Sequence, residues 1–185
     1  VELAVNTTVG SDPITLNSRS EPSITALSDG GFVVAWTDFA NGGDTNGAAV
    51  VAQAFTSDGT KIGLEFLVNT TIQGAQQTPS ITALSDGRFV VVWRDDSQTG
   101  EDTSGEAVRA QVFAADGTRL GEEFLVNTTV SNWQTEPSIV GLADGRFVVS
   151  WADWSTSDIR AQIFDAGGST QPANLPPSAF GNDAF

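Results

Sequence analysis

The 185-residue chain contains no cysteine, histidine, methionine or tyrosine. Without cysteine there is no thiol nucleophile and no disulfide, so a secreted form must be stabilised in some other way. Without histidine there is no Ser-His-Asp triad and no ordinary zinc or copper site. Carboxylates, hydroxyls and carbonyls remain, and these are ligands for hard cations such as Ca2+. Basic residues are scarce: 8 Lys and Arg stand against 23 Asp and Glu, a net charge of −15. A nucleic-acid partner needs a basic patch to neutralise phosphates, and an anionic membrane surface needs one too, so neither is expected. Long apolar runs are missing as well, which argues against membrane insertion. The chain does not begin with methionine and starts inside a repeat-like strand. It therefore reads as a mature or excised segment, with no signal peptide to assign.

What the sequence does have is a motif stated three times. Val5-Asn6-Thr7-Thr8 returns at Val68 and Val126, and Pro22-Ser23-Ile24 returns at Pro79 and Pro137. Asp29-Gly30-Gly31-Phe32-Val33-Val34-Ala35-Trp36 returns at Asp86 to Trp93 and Asp144 to Trp151. Ala52-Gln53-Ala54-Phe55 returns at Ala110 and Ala161. A long period rich in strand formers marks supersecondary units, each burying its apolar face against its neighbours.

Each unit reads as four strands, of the types Glu65–Asn69, Pro79–Leu84, Arg88–Trp93 and Val108–Phe113. Asp86-Gly87 is a tight-hairpin signal between the second and third. In the third, Phe89, Val91 and Trp93 point one way while Val90 and Val92 point the other, and both sets are apolar. A sheet with one wet face would alternate polar and apolar, so this strand is expected to be covered on both faces. The fold expectation is all-β, with three four-stranded β-propeller-type blades. A β-trefoil or β-prism is the alternative, since both are built from three four-stranded units. The repeats fall at about 1–63, 64–121 and 122–168, and 169–185 is a Pro-rich linker or tail by composition. Three blades are too few to close a ring. Self-association, or further repeats of a larger parent chain, is expected to cover the open faces.

Each third strand ends in Trp-x-Asp, at Asp38, Asp95 and Asp153, and opens into an acidic, Gly-rich loop. Asp38, Asp44, Asp95, Asp96 and Asp102 are the candidate Ca2+ ligands, although the spacing is not that of an EF-hand. Asx-turn chemistry explains the same residues without a metal. Trp133 and Trp154 occur in the third repeat alone, in loops at one end of the unit. They are candidates for stacking on a sugar ring, against simple packing on the neighbouring unit. Asn6, Asn69 and Asn127 head Asn-Thr-Thr sequons, but their recurrence at one repeat position points to a strand-ending turn. A glycosidase needs two carboxylates, and no unrepeated pair stands out. The sialidase-type Asp-box spacing is also absent from Ser85-Asp86-Gly87 onward.

The segments Phe66–Thr71, Pro79–Trp93 and Arg109–Thr118, in that order, resemble a repeat of large secreted bacterial proteins of the RTX-type calcium-binding and adhesin-like class. The resemblance covers residues 1–168. Asn174-Leu175-Pro176-Pro177 to Phe185 resembles the start of a cadherin-like module in such proteins. The glycine-rich calcium nonapeptide of that class is absent, so its calcium ligation does not carry over. The resemblance implies an extracellular, secreted or cell-surface location. Together with the acidity and repetition it gives the functional expectation: a non-enzymatic structural or adhesive module of a larger protein. The alternative is a carbohydrate-binding lectin using Trp133 and Trp154, with a glycan or cell-surface ligand.

Overall fold

The computed structural model describes residues 2–7, 18–39 and 47–165. They form eleven strands. The first sheet is a meander of β1 (Arg19–Ala26), β2 (Phe32–Asp38), β3 (Ala49–Phe55) and β4 (Lys61–Leu67). The second repeats it with β5 (Gln76–Ala83), β6 (Phe89–Asp95), β7 (Ala107–Phe113) and β8 (Arg119–Leu125). The third has β9 (Gln134–Gly141), β10 (Phe147–Asp153) and β11 (Asp158–Phe164), with no fourth strand among the described residues. Neighbouring strands are antiparallel throughout.

The all-β expectation holds. The sheets remain separate and close into no barrel, so the trefoil alternative is not what forms. The repeat has a different phase from the sequence reading. Lys61–Leu67 is the last strand of the first sheet, paired with β3, and not the first strand of the next unit. The cause is the Asp58-Gly59 turn: Gly59 adopts φ 85°, and Thr60 N–H donates to the Asp58 carboxylate at 3.0 Å. That tight reversal folds the strand back on its predecessor. The tail from 169 onward lies outside the described residues.

The sheets stack in series, with β1 packed on β5 and β5 on β9. One joint repeats. Phe89, Val91, Trp93 and Phe113 of the second sheet meet Val33, Ala35, Ala52 and Ala54 of the first. Phe147, Val149, Trp151 and Phe164 of the third meet Val90, Val92, Ala110 and Val112 of the second. Each sheet thus presents bulky rings on one face and small aliphatics on the other. Trp93, Phe89, Val90 and Val92 have no exposed surface, as the two-sided pattern of that strand requires.

Innermost strands add a polar stitch. Thr25 Oγ1 accepts from Ala83 N–H at 3.0 Å, and Thr82 Oγ1 accepts from Gly141 N–H at 3.0 Å. The second approach is close: a Cβ on Gly141 would sit 2.5 Å from the Ala83 carbonyl oxygen. Thr82→Val keeps the volume but strands the Gly141 donor. We expect it to cost about 1–3 kcal/mol, read as a lower denaturant midpoint with an unchanged m-value.

Candidate functional site

A buried relay begins at the Asn-Thr-Thr motif. Asn69 Oδ1 accepts from Val50 N–H at 3.0 Å, while its amide donates to the Thr71 carbonyl and to Gln76 Oε1. Gln76 in turn donates to Asp95 at 2.9 Å. The Arg109 guanidinium closes the line against Asp95 at 2.5 Å and meets Glu123 at 3.4 Å. The third sheet repeats it through Asn127 and Gln134, with Arg160 on Asp153 at 2.6 Å. Asn69 and Asn127 are buried, which fits a turn and leaves no room for a glycan.

These contacts decide where the candidate calcium ligands sit. Asp38 is paired with Arg19 at 3.2 Å, and Asp95 with Arg109. Asp102 is buried, accepting from Ser104 N–H at 3.0 Å and Asn127 at 2.8 Å. Asp96 is exposed on a neighbouring loop, and Asp44 lies outside the described residues. Among the described residues no three acidic side chains converge on one point.

Trp133 and Trp154 are brought together. Both are about half exposed, 54% and 56%, and Trp154 N–H donates to the Trp133 carbonyl at 2.9 Å. They border a cleft of about 390 Å3 with Thr78, Arg94, Glu106, Thr135 and Glu136. Arg94 reaches Glu106 at 3.2 Å and also donates to Gln77. The Trp154 indole N–H is anchored on Thr135 Oγ1 at 3.1 Å. Glu136 is exposed and sits on a β-bulge at φ 55°, the repeat position of Glu21 and Thr78. A bulge re-aims a side chain.

The cleft exists because the repeat departs from itself here. At the first joint, Glu21 fills the corresponding space, accepting from Thr37 Oγ1 at 2.6 Å and Thr78 N–H at 2.9 Å. At the second joint the shorter Thr78 takes the place of Glu21, and Arg94 that of Thr37. The backbone does not change. Gln76 N–H donates to Ala48, and Gln134 N–H to Glu106, both at 2.8 Å; Asp96 N–H bonds Ala75 as Trp154 N–H bonds Trp133. The sequence reading found the two tryptophans but missed Arg94, Glu106 and Glu136. Their signal was available, since alanine stands at position 48 where Glu106 recurs.

No known protein family and no curated protein matches the sequence. Solved structures match it in fold. The chain is similar to a Dyadobacter fermentans protein of unknown function, with a TM-score of 0.59, 12% identity and 83% of this chain covered. A Hadza microbial sialidase gives 0.58, 13% and 84%. A family 117 glycoside hydrolase from the marine bacterium Zobellia galactanivorans gives 0.55, 13% and 95%. The chain spans 53%, 37% and 61% of those chains. These likenesses concern the fold. They nonetheless correct the expectation of a non-enzymatic structural or adhesive module, because a sialidase and a glycoside hydrolase are built on this stack of sheets. Repetition contributed to that expectation, yet the second joint departs from the first at Thr78, Arg94 and Glu106.

Acid should loosen the third sheet. Burial alone would raise the Asp153 carboxyl, but hydrogen bonds from Ser155 and Gln134 and the Arg160 charge outweigh it and hold the group below the usual carboxylate value. The folded form therefore binds this proton less tightly than the unfolded chain. Its stabilisation is present above about pH 4 and is lost as pH falls through the lowered native value. Asp153→Asn should flatten the stability–pH curve between about pH 5 and 3, as followed by urea unfolding.

Proposed function

We propose that the chain forms three blades of a β-propeller that acts on glycans, with the Trp133–Trp154 cleft as its sugar-handling site. The observation that carries this reading is the pairing of two half-exposed indoles with Glu106, Glu136 and Arg94 in one cleft. Concave sites with aromatic walls and a few placed polar groups suit small ligands. Flat rings cover the apolar face of a pyranose, while carboxylates and a guanidinium bind its hydroxyls. The sialidase and the family 117 glycoside hydrolase among the structural likenesses support the carbohydrate class. A glycan outside the cell also suits the acidic surface and the secreted location that the sequence suggested.

Hydrolysis of a glycosidic bond needs one carboxyl to protonate the leaving oxygen and a second to activate water or attack the sugar. The cleft supplies two. Glu136 stands exposed on its bulge, and Glu106 is oriented by Arg94. Arg94 and the two tryptophans position the saccharide for them.

Affinity electrophoresis against a panel of acidic and neutral polysaccharides, with a reducing-end assay beside it, tests this. Trp154→Ala should weaken retardation at least tenfold. Glu136→Gln should retain retardation and abolish new reducing ends. Unretarded migration on every polysaccharide, or variants that behave as the parent, contradicts the proposal.

A further inference from the structure

The two end sheets differ in how far their outer faces are covered, and on the first Trp36 and Phe55 are buried. On the third, Ile159 is 78% exposed although Val50 and Val108, at the same repeat position, are fully buried. Ala161 is exposed where Ala52 and Ala110 are buried. Arg160 has a side-chain exposure of 39% against 10% for Arg109. Gln162 gives an independent sign. Gln53 and Gln111 donate to carbonyls of the fourth strand, Ile62 at 2.9 Å and Leu120 at 3.2 Å. The Gln162 amide nitrogen is buried without an acceptor, and a cavity of about 650 Å3 opens beside it between β8 and the third sheet. The edge of β11 is shaped for a strand that the described residues do not supply.

The other end of the molecule carries such a strand end. Glu2-Leu3-Ala4-Val5-Asn6-Thr7 aligns with Glu65-Phe66-Leu67-Val68-Asn69-Thr70 and with Glu123 to Thr128. Its placement agrees with the alignment. Leu3 lies over the Gly59 turn as Phe66 lies over the Gly117 turn. Val5 packs on Val34, Trp36 and Phe55, as Val68 packs in the next joint. Thr7 donates to Glu65 as Thr70 and Thr71 donate to Glu123. The segment occupies the place of a preceding sheet's fourth strand, and no strand pairs with it among the described residues.

We propose that a second copy of this chain docks head to tail on the open third sheet and donates Glu2–Asn6 to the edge of β11. In the register of β7 on β8, Leu3 faces Ala161 and Ala4 faces Arg160. The Val5 amide reaches the Ile159 carbonyl, as Val126 reaches Val108. Glu2 meets Arg160 and the Thr128–Thr129 turn, repeating the Glu123 contacts. In this register the positions of Ile62 and Leu120, which serve Gln53 and Gln111, fall before Val1, so the donated segment covers β11 beside Ile159 to Ala161 and not beside Gln162. Ile24 and Val140, 64% and 56% exposed at opposite ends, cover one another across the joint. Two copies donating reciprocally give six blades, within the four to eight that close a ring.

The absence of cysteine makes the test clean. Leu3→Cys combined with Ala161→Cys should give disulfide-linked pairs under mild oxidation, with light scattering on the unmodified chain near twice 19.3 kDa. Ala4→Cys with Ala161→Cys puts the thiols on opposite faces and should cross-link at least tenfold less. Ile159→Asp changes a residue exposed in the single copy, so it should leave the circular dichroism intact while returning the mass to one chain. A single-chain mass at every concentration, or equal cross-linking by the two cysteine pairs, overturns the proposal.

Discussion

Everything in this molecule follows from strands that are apolar on both faces. A sheet whose central strands carry Val90 and Val92 on one side and Phe89, Val91 and Trp93 on the other cannot face water on either. Burial of apolar surface is worth roughly 25 cal/mol per Å2, and for the second sheet it is realised by a sheet lying on each side. The sheets therefore stack, and bulky rings on one face against small aliphatics on the other fix their order. Stacking also gives the array a direction, with the ring face of the first sheet at one end and the small-aliphatic face of the third at the other.

Between the joints, charged and amide side chains are spent on holding the backbone. Asp95 and Asp153 lie buried against arginines, and Asn69 and Asn127 serve strand termini. A buried carboxylate survives only when paired and hydrogen-bonded, and the relay meets that condition twice with the same residue types. The second joint departs from this pattern. The backbone hydrogen bonds at the first and second joints match, so replacing Ala48 by Glu106 and Thr37 by Arg94 opens a polar cleft without altering the scaffold.

Much of this was legible in the sequence. The period, the two-sided strand and the Asp-Gly turns depend on local residue pattern, and the Thr-Val-Phe-Gly composition fixes the all-β class. The phase of the repeat was not legible, because Glu65–Asn69 reads equally well as the start of one unit or the end of another. Only the pairing of Lys61–Leu67 with β3 distinguishes them. The acidic loops misled for a related reason: Asp38 and Asp95 look like free ligands in one dimension, and their arginine partners lie on other strands. Among the cleft residues the tryptophans were visible as unrepeated aromatics. Glu136 was hidden, since it falls at the repeat position of Glu21 and differs from it only in its surroundings.

The central claim is that each sheet draws its stability from the neighbours on its two faces. Native-state hydrogen exchange followed residue by residue measures this directly. The account predicts the slowest exchange in β6 and β7, which are covered on both sides, and markedly faster exchange in β10 and β11, which carry the same sequence motif with one face open. Equal protection of these two strand pairs in a single-copy sample would contradict it.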